Sequence, residues 1–217
     1  MELKVIVIVG PTCSGKTSTG INLAQQLNSE IISADSRQIY KYLNIGTAKP
    51  TESQLRLVNH HCVDLLELTE EYNVSKFEKE SLLVIGKLHK TSKIPIAVGG
   101  SGLYIRAMVD GIFDSVDTDE DFRKSILEEK NKSGNEFIYE KLKKVDTISA
   151  EKLLPQNWKR VIRALEVFHL TGEPIWKFHE QHKRESKINF LQFGLNWNRD
   201  ILYQNIEKRV DTMIEQG

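Results

Sequence analysis

The chain has 217 residues, enough for one domain, or one domain carrying a small insertion, with a sizeable buried core. Its 30 basic residues balance 30 acidic ones, so a surface for nucleic acid would have to be made by segregating charge, not by net charge. No apolar run approaches the length of a membrane span, and two cysteines, Cys13 and Cys62, exclude a disulfide framework and a Cys-x-x-Cys metal pair.

Met1-Glu2-Leu3-Lys4 leads straight into the first apolar run, so no signal peptide is expected and the chain reads as cytoplasmic. Val5-Ile6-Val7-Ile8-Val9 is continuous and β-branched, as for a strand buried on both faces. It runs into Gly10-Pro11-Thr12-Cys13-Ser14-Gly15-Lys16-Thr17, which fits the phosphate-loop pattern G-x-x-x-x-G-K-[ST] without a mismatch. Ile21, Leu23, Ala24 and Leu27 then recur at helical spacing. Strand, glycine turn and helix are the context the pattern needs. Glycines let successive N–H groups converge on one anion, and the helix N-terminus adds partial positive charge. Lys16 supplies a mobile cation for the outer phosphate, and the Thr17 hydroxyl can ligand Mg²⁺. The loop holds a polyphosphate, ATP or another; the pattern does not say which.

Glu30-Ile31-Ile32-Ser33-Ala34 reads as a second short strand ending at Asp35-Ser36-Arg37-Gln38. In an open parallel sheet this places Asp35 on the same rim as the phosphate loop. There it is either a capping aspartate or a carboxylate that takes a proton from, or ligands, something beside the phosphates. Asn44-Ile45-Gly46-Thr47-Ala48-Lys49-Pro50 reads as a flap near the site. His60-His61-Cys62 resembles metal ligands, but neighbouring residues on a strand face opposite ways, so it is taken as the entry to a strand Cys62-Val63-Asp64-Leu65.

A long amphipathic helix is expected over residues 74–93, then a buried strand Ile94-Pro95-Ile96-Ala97-Val98. The strand runs into Gly99-Gly100-Ser101-Gly102 and a helix from Leu103. A nucleotide hydrolase of this fold usually carries an acid at such a strand end, and none lies between Ile94 and Ile105. Gly99-Gly100 reads either as close packing or as a second wall of the anion site, with Ser101 offering a hydroxyl. The acidic, turn-rich stretch 110–121 marks a boundary, followed by charged helices near 119–131 and 136–145 and a short helix near 149–154. Asn157 can cap a helix 158–170 that carries Lys159, Arg160 and Arg163 within about one turn. Between Pro155 and Lys187 seven Lys or Arg face four Asp or Glu, a solvated face or a phosphate-contacting patch. Thr171-Gly172-Glu173-Pro174 stops the helix. A last strand is expected over 190–195 and a last helix over 200–216.

The chain therefore reads as α/β: a parallel sheet flanked by helices, with a core domain from residues 1–112 and 188–217 and a helical insertion over 113–187. Five stretches in order, Gly10–Thr17, Ile31–Tyr40, Ile45–Pro50, Val98–Tyr104 and Arg163–Val167, together resemble the tRNA dimethylallyltransferase family. The resemblance covers essentially the whole chain and implies a P-loop NTPase-like fold. It also implies that Gly10, Pro11, Thr12, Cys13, Ser14, Gly15, Lys16 and Thr17 hold the diphosphate of dimethylallyl diphosphate, with Mg²⁺ at Thr17. Lys16, Asp35 and Ser101 then match catalytic positions, Asp35 being the base that takes a proton from the exocyclic amine of an adenine; Ser101 stands where the family usually has threonine. Asp35, Ser36, Arg37 and Gln38, and Lys159, Arg160, Val161, Ile162 and Arg163, match stretches that contact tRNA. The implied partners are the tRNA anticodon stem-loop and dimethylallyl diphosphate, with no membrane and a monomer expected. Base flipping is implied, since the amine must reach a pocket. Family members usually continue into further basic helices, so diphosphate binding is expected to be complete here and full tRNA affinity to draw on more than these residues. The competing readings are a P-loop nucleoside or small-molecule kinase, a prenyltransferase of free adenine nucleotides, and a non-catalytic tRNA-binding protein.

Overall fold

The computed structural model describes residues 2–112, 116–181 and 187–217. The boundary expected at residue 113, and Lys183 and Arg184 of the basic stretch, lie outside the described residues. Two compact units emerge, Met1–Ile112 with Arg184–Gly217, and Phe113–Lys183.

The first unit is a five-stranded parallel sheet: β1 (Leu3–Val9), β2 (Ile31–Ser33), β3 (His60–His61), β4 (Ile96–Val98) and β5 (Ile188–Gly194), in the order β3-β2-β4-β1-β5. Ile6 of β1 lies opposite Ile96 of β4 on one side and Leu191 of β5 on the other. The chain leaves β1 towards β2 and leaves β4 towards β5. The carboxyl ends of β1 and β4 therefore flank a topological switch point, where sheets of this type open a crevice.

Side chains alternate across the sheet as the pleat requires. Val5, Val7, Ile32 and Ala97 pack with Phe77 and Ile85 of α3 (Val74–Lys90) and with Tyr104 and Met108 of α4 (Gly102–Asp110). Ile8, Ile31, Ile96 and Val98 pack with Ile21 and Ala24 of α1 (Lys16–Gln26) and with Val58. The result is a helix–sheet–helix sandwich with both faces dry, which is why β2 and β4 are apolar almost throughout.

Local chemistry moves two expected boundaries and adds one element. The strand expected at Cys62–Leu65 is instead His60–His61, because Cys62 (φ 62°) and Asp64 (φ 54°) take left-handed backbone that no strand tolerates. The helix expected to reach residue 93 ends at Lys90, turned by Ser92 at φ 58°. A short helix α2 (Glu52–Leu57) follows the flap. It starts at Thr51, whose hydroxyl accepts from Gln54 N (3.3 Å) while Gln54 Oε1 accepts from Thr51 N (3.0 Å), a complete capping box.

The second unit is helical in its described residues: α5 (Glu120–Ser133), α6 (Asn135–Val145), α7 (Thr147–Glu151), a 3-10 turn at Pro155–Asn157, α8 (Trp158–Thr171) and α9 (Ile175–Gln181). Ile126, Ile138, Leu142, Val161, Leu165 and Val167 form its core. α8 does stop at Gly172 (φ 72°), but the chain re-enters a helix at Ile175. Asp146 joins the first turns of α7 and α9: Oδ1 accepts from Ser149 N (2.9 Å) and Oδ2 from Ile175 N (3.1 Å). Glu166, fully buried, is held by Arg123 (2.7 Å), Arg163 (2.5 Å) and the Asp119 amide (2.8 Å). Burial alone would raise its pKa. Arg163, the amide and Arg123 outweigh that and hold it below the usual carboxylate range. The last helix of the chain, α10 (Arg199–Glu215), belongs to the first unit.

Candidate functional site

Gly15 sits at φ 84°, a left-handed conformation that suits glycine, and swings the chain from the phosphate loop into α1. No side chain caps α1 and no acid lies in its first turn, so its leading amides and partial positive charge face whatever enters the loop. Lys16 Nζ folds back and donates to the Gly10 carbonyl (2.9 Å) and the Pro11 carbonyl (2.7 Å), which keeps its charge over the loop. Burial, and then the neighbouring guanidinium of Arg209, lower the Lys16 pKa from 10.5; Cys13 and Asp35 act in the opposite sense.

The loop forms one end of a cavity of about 430 Å³. Thr12 to Ser18, Asp35, Gln38, Gly99 and Gly100 line it, with Thr47, Ala48 and Pro50 of the flap, Gln54 and His60 beyond, and Asn205 and Arg209 of α10. Gly99 answers a question the sequence left open. A Cβ there would stand 2.1 Å from the Ala34 carbonyl oxygen, so glycine is required by the close approach of the β4 end to the β2 end. Close packing and cavity wall are the same feature.

Asp35 lies at the end of β2 and faces this cavity. Its Oδ1 accepts from Arg37 N (2.9 Å) and, more weakly, from Gln38 N (3.4 Å), which fixes the carboxylate; among the described residues Oδ2 has no hydrogen bond. Ser101 braces the same turn from β4: its Oγ accepts from Ser36 N (3.0 Å). The flap is fastened by Gln38, whose Nε2 donates to the carbonyls of Thr47 (3.2 Å) and Ala48 (3.1 Å) while its Oε1 accepts from Ser33 Oγ (3.0 Å). Lys49, nearly fully buried, ties the flap to Tyr40 O (2.8 Å), Asn44 Oδ1 (2.8 Å) and Asp64.

Among the described residues, two buried side-chain polar atoms have no hydrogen-bond partner, Ser14 Oγ and His60 Nε2, and both residues line this cavity. A buried unsatisfied polar atom is costly, and two sharing one cavity mark it as built for a polar occupant. His60 Nδ1 donates to the Val58 carbonyl (2.9 Å), and burial lowers its pKa, so Nε2 is left as a neutral acceptor. The paired-histidine motif thus divides: His61 turns instead to Glu30 (2.8 Å). The oxygen donors of the cavity, the Thr17 hydroxyl and the Asp35 carboxylate, suit a hard cation such as Mg²⁺.

The structure brings Lys16, Thr17, Asp35 and Gln38 together around one cavity. Gly10 and Pro11 serve it through carbonyls that hold Lys16, and Ser101 through the Asp35 turn. Lys159 to Arg163 lie on α8 of the second unit. There Lys159 and Arg160 are exposed, Val161 and Ile162 are buried in the core, and Arg163 is engaged by Glu166 and the Val116 carbonyl (2.9 Å).

Sequence reasoning missed Arg209, whose Nη1 lies 3.7 Å from Cys13 Sγ, and Trp197, whose Nε1 donates to the Ser14 carbonyl (2.9 Å). Arg209 lies on the same partly buried stripe of α10 as Leu202, Ile206 and Met213, and a cation within that apolar stripe was the available signal.

The family model for IPP transferase matches residues 38–217. A tRNA dimethylallyltransferase of Carboxydothermus hydrogenoformans is 42% identical over 219 residues, covering 100% of this chain and 70% of that protein. One from Pelotomaculum thermopropionicum is 44% identical over 214 residues, covering 98% of this chain and 68% of that protein. Among solved structures, a eukaryotic dimethylallyltransferase acting on tRNA superposes with a TM-score of 0.82 at 33% identity, covering 99% of this chain and 53% of that one. The full-length tRNA isopentenylpyrophosphate transferase of Bacillus halodurans gives 0.65 at 39% identity, covering 99% and 67%.

Proposed function

The chain belongs to the IPP transferase family, and on that premise we propose that it moves a dimethylallyl group from dimethylallyl diphosphate to the exocyclic amine of the adenine 3′ of the anticodon in tRNA, releasing diphosphate. One observation carries the reading of the cavity: Lys16, Arg209 and Asp35 line the same space, while the β4 end offers Gly99-Gly100-Ser101 and no acid of the kind a nucleotide hydrolase uses.

In the transfer, the amine nitrogen bonds to the allylic carbon as the bond from that carbon to the diphosphate oxygen breaks. The electron pair leaves with diphosphate and the amine proton goes to Asp35. The leaving group is already good, so the protein's main tasks are orientation and stabilising charge on the departing oxygens. The loop amides, Lys16 and Arg209 take the second task. Thr17 would hold Mg²⁺, which when bound neutralises part of the diphosphate charge. Asp35 needs only a modest proton affinity, because the amine loses its proton as it becomes cationic. Ser101 keeps the Asp35 turn in place. For the RNA, the turn Asp35–Gln38 is the near contact, and the second unit is the tRNA-facing one through Lys159 and Arg160, with Val161, Ile162 and Arg163 supporting them from within.

Calorimetry with Mg²⁺ present, comparing dimethylallyl diphosphate with ATP, tests the assignment of the cavity. We predict clear preference for the prenyl diphosphate. Preference for ATP, with turnover to ADP, would replace this reading by a kinase.

A further inference from the structure

The approach to the flap, residues 40–43, carries a feature that the transfer chemistry leaves unused. Tyr42 is 72% exposed, yet its backbone sits at φ 68°. That is the left-handed region, unfavourable for an aromatic residue and natural for glycine. The strain has no outlet, because the chain is fastened on both sides. Before Tyr42, Lys41 N donates to the Leu66 carbonyl (2.8 Å) and Lys41 Nζ pairs with Glu67 (2.7 Å). After it, Asn44 N donates back to the Tyr42 carbonyl (3.1 Å), and Lys49 grips both Tyr40 and Asn44. The ring is held out in water by a rigid base, beside Leu43, which is also exposed.

Its location gives the ring a use. Thr47 and Ala48 of the same flap line the cavity. Tyr40 N donates to the Arg37 carbonyl (3.3 Å), so the approach to the flap is joined to the turn that carries the base. Arg37 is exposed there. An adenine drawn out of its stack into the cavity leaves its neighbours with bare faces. Single-stranded RNA is commonly held by stacking such bases on aromatic side chains, and a ring already fixed in place loses little freedom on binding.

We propose that Tyr42 is a stacking platform for an RNA base adjacent to the one that enters the cavity, with the exposed Arg37 available to a nearby phosphate. The proposal rests on the tRNA reading above.

The test uses Tyr42→Gly and Tyr42→Phe in the full chain. Glycine fits φ 68° without strain, so the first variant keeps the fold while deleting the ring; an unchanged or higher Tm verifies this. Tyr42→Gly is expected to weaken binding of an anticodon stem-loop RNA by about ten-fold, the scale of one lost base–aromatic stack. Its affinity for dimethylallyl diphosphate should match the wild type, and Tyr42→Phe should bind RNA normally. A stem-loop with 2-aminopurine beside the target adenine should be quenched on binding wild type and Tyr42→Phe, and not on binding Tyr42→Gly. Equal RNA affinity and equal quenching for wild type and Tyr42→Gly would overturn the platform and leave the tRNA reading standing. Wild-type protein that binds the prenyl diphosphate but no stem-loop RNA would overturn both.

Discussion

On the proposed reading, Asp35 and the cations that line its cavity, Lys16 and Arg209, divide the chemistry between them. Oδ1 of Asp35 is spent on two backbone amides, which aim the carboxylate and leave Oδ2 for a proton. We predict that Asp35→Asn keeps affinity for dimethylallyl diphosphate within about two-fold, since asparagine still accepts from those amides, and lowers single-turnover transfer by about 10²–10⁴-fold, the usual contribution of general base catalysis. Arg209 belongs to the other half. Arg209→Ala should weaken donor binding measured by calorimetry, and it should also let the Lys16 pKa rise, because the guanidinium is one of the two groups of causes holding it down. Donor binding that depends on Lys16 being charged would then persist to higher pH in the variant than in the wild type. An unshifted alkaline limb would remove Arg209 from that role. The loop pattern named Lys16 and Thr17, and both line the cavity, since eight consecutive residues carry the motif. Arg209 was hidden for a physical reason: it reaches the loop from the far end of the chain, and helical spacing puts it on the packed stripe with Leu202, Ile206 and Met213 without saying which element that stripe meets.

Elements set where these residues stand, and their ends are held by ion pairs and caps of uneven legibility. Glu30, at the entry to β2, joins Lys93 (2.6 Å), Asn59 (2.7 Å) and His61 (2.8 Å), tying β2, β3 and the approach to β4. The hydrogen bond from Lys93, opposed by burial and helped by Asn59 and His61, lowers its pKa to about 2. A depressed folded-state value means the stabilisation is complete above the unfolded value of 4.5 and fades as pH falls from there towards about 2. Glu30→Gln should therefore cost about 1 kcal/mol at pH 7, discounted for its partial hydration, and close to nothing at pH 2. Denaturant titrations at the two pH values would read this, and an equal cost at both would contradict it. β1, β2 and β4 were legible because buried parallel strands are apolar on both faces. α2 and α9 span under two turns and leave too little periodicity to read, although Thr51-Glu52-Ser53-Gln54 is a capping-box pattern that could have announced α2. The shift of β3 to His60–His61 could not be read, because left-handed backbone at Cys62 and Asp64 is set by the surrounding fold and not by local preference.

On the proposed reading, donor chemistry belongs to the first unit alone, and the second, helical unit has its own core. Every described residue of the cavity belongs to the first unit. Glu166 anchors the second, and Glu166→Ala would leave Arg123 and Arg163 without their shared carboxylate. We predict a loss of about 1–3 kcal/mol from that unit, since both guanidiniums are partly hydrated and Arg163 keeps its bond to the Val116 carbonyl. Donor affinity at low temperature should be unchanged, while modification of RNA falls. Calorimetric donor binding that collapses together with RNA modification would contradict this division. The neutral net charge excluded a uniformly basic surface, and the structure agrees in detail: α8 exposes Lys159 and Arg160 while its other expected contacts, Val161, Ile162 and Arg163, are packed or paired. Which residues of a basic stretch face water depends on helix phase, and here the phase follows from the core residues Val161, Ile162 and Leu165.

The most direct measurement is mass spectrometry of an anticodon stem-loop RNA incubated with this chain, dimethylallyl diphosphate and Mg²⁺, followed by nuclease mapping. The account predicts a gain of one dimethylallyl group on the exocyclic amine of the adenine 3′ of the anticodon, formed about 10²–10⁴-fold more slowly by Asp35→Asn with donor binding retained. An RNA left unmodified by a wild-type chain that binds both substrates, or a modified RNA from Asp35→Asn at the wild-type rate, would contradict it.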